Sequence, residues 1–332
     1  MKILSEARLS ALDLAPITEG GSAGQALRNS LELAQQLDNL DFTRFWLAEH
    51  HNLIDVACAA TPLVIGYLAA NTHRIRVGSG GIMLPNHSPL VIAEQFGTLE
   101  TLYPGRIDLG LGRAPGTDQD TLRALRRQPG DGSEFPQLVE ELQHFLAVPS
   151  PGQSVRAIPG AGLEIPLWLL GSSLFSAQLA AQQGLPFAFA AHFAPDHMQQ
   201  ALQLYREQFT PSPALAEPYV LVCVNAVAAP TASEARFLAS TEQQKFLGLI
   251  RGKRSLLPAP VENMDELWSP AEAHHVRRML RESIVGDREQ VREALQGLLQ
   301  RTQADEIMIN SWIFDRQARL RSYRIIAEAW KG

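Results

Sequence analysis

Residues 75–116 read IRVGSGGIMLPNHSPLVIAEQFGTLETLYPGRIDLGLGRAPG, and this stretch decides the fold. An apolar, glycine-studded run (75–83) leads into a helix-like segment (89–102) and then into a second apolar run (107–112). Strand, helix, strand at this spacing is a βαβ unit. Its two strands must lie parallel, because the crossover helix returns the chain to the same end. Buried parallel strands read as nearly continuous apolar segments, as both of these do.

The same alternation continues outward in both directions. Strand-like runs stand at 8–14, 42–48, 75–83, 107–112, 166–170, 186–191, 219–227 and 306–313. Helix-like segments fill the intervals at 22–40, 57–70, 89–102, 174–183, 195–209, 233–249, 288–301 and 316–329. Repeated strand–helix units of this number predict an α/β fold of the (β/α)8 barrel type. A doubly wound sheet fits less well, since no G-x-G-x-x-G turn follows the first strand. Two stretches break the rhythm, 117–162 and 252–275, and long connections of this kind are often lids. The expectation is one barrel domain over residues 1–332 with those two insertions. Asp287 and Gln290 have the spacing of a helix N-cap and its capping-box partner.

Composition narrows the partners. Of 332 residues, 45% are hydrophobic and 19% charged, which builds a core and excludes disordered and collagen-like classes. Lys+Arg 29 against Asp+Glu 35 gives a net charge of -6, so nothing global attracts nucleic acid or an anionic membrane surface. The opening MKILSEAR carries charges where a secretory signal is apolar, and no run reaches the length of a membrane span. A cytoplasmic location is expected. Cys58 and Cys223 sit in apolar segments, where buried inert thiols are the common case, and neither has a metal-ligand spacing.

In an α/β barrel the chemistry sits at the C-terminal ends of the strands. There the sequence places Glu49-His50-His51-Asn52, Gly78-Ser79-Gly80-Gly81, Asn86-His87, Gly112-Arg113 and Gly171-Ser172-Ser173-Leu174-Phe175-Ser176. The last of these opens a helix, whose first N–H groups and partial positive charge favour an anion, with Ser173 and Ser176 as further donors. An ordinary serine N-cap is the plain alternative. Arg113, at the end of the neighbouring strand, tips the reading toward a phosphate-bearing ligand. Successive strand residues point to opposite faces, so His50 and His51 cannot both face the barrel mouth, and no metal site is expected. One histidine in the mouth could act as acid or base, or both could satisfy loop carbonyls. The glycines of 78–81 form either a bulge or a bare wall for a flat ligand, and the two are compatible.

Three blocks carry a family likeness: WLAEHHN (46–52), VGSGGIMLPNHSPLVIAEQFGTLETLYPGRIDLGLGRAPG (77–116) and PLWLLGSSLFSAQLAAQQGLPFAFAAHF (166–193). They resemble the bacterial luciferase-like monooxygenase family over almost the whole chain. The resemblance implies a barrel that binds reduced FMN delivered by a separate flavin reductase, reacts with O₂ and oxidises a small organic substrate. It implies a non-prolyl cis peptide at Gly80-Gly81 against the flavin ring. Gly171, Ser172, Ser173, Ser176 and Arg113 fall around the flavin phosphate, and His50 matches the catalytic histidine. It also implies a homodimer through the helices at 57–70 and 89–102. Gly112 and Ser172 depart from the light-emitting subunits, which carry a cysteine and a glutamate there, and this argues against aldehyde-driven luminescence. Three rivals share the barrel: a deazaflavin-dependent hydride-transfer enzyme, a flavin-binding protein without catalysis and a metal-dependent hydrolase.

Overall fold

A computed structural model describes residues 2–114, 117–127 and 132–332. Residues 115, 116 and 128–131, which belong to the expected strand-four turn and the first insertion, lie outside the described residues. The described strands are β1 (Arg8–Asp13), β2 (Arg44–Leu47), β3 (Arg76–Met83), β4 (Ile107–Gly112), β5 (Leu167–Gly171), β6 (Phe187–Ala190), β7 (Val220–Ala228), β8 (Ile284–Gly286) and β9 (Glu306–Asn310). All pair in parallel, in the order β6-β5-β4-β3-β2-β1-β9-β7, and β6 pairs with β7 to close the ring. This is the expected (β/α)8 barrel. The short β8 lies outside the ring and pairs only with the far end of β7.

The helices are α1 (Ala23–Asn39), α2 (Thr61–Ala69), α3 (Pro89–Leu102), α4 (Gln119–Ala124), α5 (Phe135–Leu146), α6 (Leu174–Gln183), α7 (Met198–Glu207), α8 (Ala232–Ile250), α9 (Pro270–Met279), α10 (Arg288–Thr302) and α11 (Arg316–Lys331). Each expected helix is present, those at 89–102 and 174–183 with the expected ends and the others with shifted ends. Helix α2 begins four residues later than the expected start at 57, with Pro62 in its first turn, because proline has no N–H to give to a preceding turn. The capping box of Asp287 and Gln290 opens α10 as expected. The stretches 117–162 and 252–275 hold α4, α5 and part of α9, none of which the periodicity announced.

Inward residues form layers along the barrel, since side chains alternate across each strand. The lower layer is ionic. Arg44 pairs with Asp108 and with Glu306, both at 2.7 Å, Arg76 reaches Asp108 at 2.7 Å, and Ser10 hydrogen-bonds Glu306. The indole N–H of Trp46 donates to Asp108 at 3.1 Å, and the Arg44 guanidinium lies 4.7 Å over the Trp168 ring. Buried charges persist only when paired and hydrogen-bonded, and here every carboxylate meets donors. The layers above carry Gly80, Gly112, Ala188 and Ala190 at inward positions. Small side chains there leave the upper barrel unfilled.

Candidate active site

The unfilled upper barrel is a cavity of about 690 Å³ at the C-terminal ends of the strands. Ligand pockets of this size take a cofactor or drug-sized molecule. His50, Gly80, Gly81, Arg113, Gly171, Ser172, Ser173 and Ser176, the residues singled out in the sequence, all line it.

One corner is built for an anion. Helix α6 starts after Ser173, whose side chain makes no capping hydrogen bond, so its hydroxyl is not spent on its own helix. Ser176 is buried against the end of β5, where a Cβ on Gly171 would overlap its hydroxyl. The Arg113 guanidinium lies 4.2 Å over the Phe175 ring in the first turn of α6, and among the described residues no carboxylate pairs with it. A helix terminus, two serines and a stacked cation thus line the same part of the cavity.

The wall formed by β2 and β3 combines bare backbone with a charged hub. The Gly80-Gly81 peptide is cis, and the β3–β4 register slips between Ser79 and Ile82, so the expected bulge is present. These glycines are required by close approach rather than by a left-handed backbone. A Cβ on Gly81 would sit 2.8 Å from the Gly110 carbonyl oxygen. Just past β2 the side chains alternate: His50 lines the cavity, while Glu49 and His51 turn away from it. Glu49 Oε1 accepts from His51 Nε2 and from His87 Nε2, both at 2.8 Å, and its Oε2 accepts from the Met83 N–H at 3.2 Å. Burial opposes ionisation of Glu49, yet these donors hold it below the usual carboxylate range. The same bond raises His51.

Across the cavity, β6, β7 and β9 present neutral polar groups. The Asn225 amide donates to the His192 carbonyl at 2.6 Å, and the Asn310 amide donates to Asn225 Oδ1 at 2.7 Å. Burial, with His50 nearby, pulls the His192 imidazole down to about 3. Burial pushes Glu242, which accepts from Ser283 Oγ at 3.4 Å, up to about 8. Cys58 and Cys223 are both free and buried, and burial pushes Cys58 up to about 12, which fits inert thiols.

Sequence reasoning missed the residues that approach from far along the chain. Lys245 of α8 pairs with buried Asp55, and its ammonium stands 4.9 Å from the Trp312 ring centre. All three line the cavity, and burial lowers Lys245 to about 8. At the rim, Asp118 caps α4 and accepts from the Asn52 amide at 3.0 Å and from Arg254 at 2.9 Å. Arg254 lines the cavity, so the two long connections meet over its mouth.

A closed parallel barrel with its cavity at the C-terminal ends of the strands is the architecture of many barrel enzymes. The chain belongs to the luciferase-like monooxygenase family, whose model matches residues 8–306. It is 58% identical over 317 residues to a luciferase-like monooxygenase of Escherichia coli (strain K12), covering 95% of each chain. Among solved structures it resembles apo-MsnO8, with a TM-score of 0.87 at 35% identity and 98% of each chain covered. The same fold is seen, at 18% identity and a TM-score of 0.76 over 97% of each chain, in the oxygenating constituent of 3,6-diketocamphane monooxygenase from Pseudomonas putida, solved with FMN. Among the described residues no helix is long and apolar enough to cross a membrane.

Proposed function

We propose that this protein is a monooxygenase that uses reduced FMN, supplied by a separate reductase, and O₂ to oxidise a small organic substrate. The observation that carries the reading is the joining in one cavity of the phosphate-type corner, the side-chain-free wall and His50. The residues fit the cofactor. Ser173, Ser176 and Arg113 match a phosphate dianion, because the Ser173 hydroxyl does not cap its own helix and, among the described residues, no carboxylate pairs with Arg113. Gly80 and Gly81 match a flat ring, since both line the cavity and neither carries a side chain. When bound, reduced flavin supplies the electrons that activate O₂. The chain's own task is to orient and to exclude water: Leu12, Trp46, Phe189 and Met308 make the walls apolar. His50 exchanges a proton with the reacting group at its imidazole. The meeting of 117–162 with 252–275 at Asp118 and Arg254 suits a lid. Exposed Leu63 and Tyr67 on α2 and Val91 and Leu102 on α3 suit a homodimer, and the cytoplasm suits a soluble reductase partner.

Anaerobic titration with reduced FMN tests the reading, with a deazaflavin as the competing ligand. Micromolar FMN binding is expected, and a flat absorbance and fluorescence response defeats the proposal. His50→Ala should leave FMN affinity within a few fold while lowering substrate-dependent oxygen uptake by roughly 10²–10⁴. Equal loss of both would make His50 a structural residue.

A further inference from the structure

Glu49 is a buried, multiply hydrogen-bonded residue beside the cavity that the proposed chemistry does not use. It is 1% exposed, yet it is ionised and sits one residue from His50. Its carboxylate ties together three segments: the end of β2 through His51, the end of β3 through Met83, and the turn before α3 through His87. Its own N–H donates to the Gly81 carbonyl at 3.4 Å, and the next N–H, that of His50, donates to the Cys58 carbonyl at 3.1 Å. Glu49 is therefore bonded to the glycine wall itself at Gly81 and to the strand just beyond it at Met83, and it adjoins the histidine that faces the cavity.

We propose that Glu49 is a positioning residue for the cavity: held by His51 and His87 on one oxygen and by Met83 on the other, it fixes where the Gly80-Gly81 wall and His50 stand relative to the flavin. The inference rests on the flavin reading for its last term only; the clamp on β3 stands on the hydrogen bonds. Three points weigh in its favour over mere filling of space. The carboxylate uses both oxygens, two of its three donors, Met83 and His87, come from 34 and 38 residues away, and a buried carboxylate with one donor removed keeps its full desolvation cost. Glu49, His51 and His87 could also gather round a cation, since their ligand atoms lie within 4.8 Å of one another. Two nitrogens 2.8 Å from a single oxygen, however, have the length of charge-assisted hydrogen bonds and stand closer than neighbouring ligands of a tetrahedral zinc.

The experiment compares wild type with Glu49→Gln, His87→Ala and His87→Gln in the full chain. Each is read by melting temperature, FMN dissociation constant from flavin fluorescence, and hydrogen exchange at the Met83 amide. Glu49→Gln and His87→Ala should weaken FMN about 10-fold and speed Met83 exchange about 10-fold. The double variant should be no worse than Glu49→Gln, because the two side chains act as one unit. His87→Gln, which keeps an N–H donor near the position of Nε2, should recover most of both effects. A lower melting temperature with unchanged FMN affinity and unchanged Met83 exchange would overturn the proposal, leaving the cluster as ordinary stabilisation. Micromolar Zn²⁺ binding by wild type that vanishes in His87→Ala would overturn it in favour of a metal centre. If wild type binds no FMN, the functional reading falls, and Met83 exchange then decides the clamp on its own.

Discussion

Two buried carboxylates on opposite sides of the cavity are held in opposite states. Glu49, beside β2, is 1% exposed and stays ionised; Glu242, on α8 behind β7, is 2% exposed and is pushed up to about 8. Burial opposes ionisation of both, more fully at Glu242, and the donors differ as well. Glu49 receives two imidazole N–H groups at 2.8 Å and a backbone N–H at 3.2 Å, whereas Glu242 has a hydroxyl at 3.4 Å and the Asn225 amide. The histidines follow the same division. His51 is raised by its carboxylate, while His192, set among apolar and neutral groups, is lowered to about 3. The β2 side of the barrel thus holds an ionised carboxylate among strong donors, and the β7 side a carboxylate kept protonated at neutral pH.

The comparison breaks most visibly at Glu49. Glu49→Leu strips the acceptor from three donors and should cost about 3–5 kcal/mol in urea unfolding, as loss of one partner of a buried pair does. A cost below about 1 kcal/mol would place Glu49 in the same class as Glu242. The opposite sign is expected across the cavity. Glu242 has a folded value raised from 4.5 to about 8, so it favours the fold fully below pH 4.5, and that contribution is lost as pH rises toward 8. Glu242→Gln should therefore raise stability by about 4 kcal/mol at pH 7.5 and change little at pH 4. A pH-independent effect would show that Glu242 carries its charge in the fold. The smallest effect is spectroscopic: in imidazole NMR, His51 should titrate above 6.5 and His192 should show no transition down to pH 5.

The barrel was legible because its strands are continuous apolar runs at regular intervals, with the 75–116 unit as the clearest. β8 escaped notice because three residues, Ile284–Gly286, carry no period. Helix α5 does show apolar spacing at Phe135, Val139, Leu142 and Leu146, but it sits in a stretch rich in Pro, Gly and Gln that reads as a connection. Helix α9 is too polar to show a stripe, although Ser269, Pro270 and Glu272 mark its start in retrospect. At the site, strand alternation correctly separated His50 from His51 and so pointed at one histidine in the mouth. The same alternation puts Glu49 and His51 on one side, but their third partner, His87, lies 38 residues from Glu49, and one-dimensional spacing does not reveal such a meeting. Lys245, Asp55 and His192 reach the cavity through barrel closure, which also leaves no local signal.

The ionic layer of Arg44, Asp108 and Glu306 fills the base of the barrel, while the small inward residues above it leave the cavity at the C-terminal ends of the strands. The interior is thus divided along its axis, with charge that ties the strands together below and open space above.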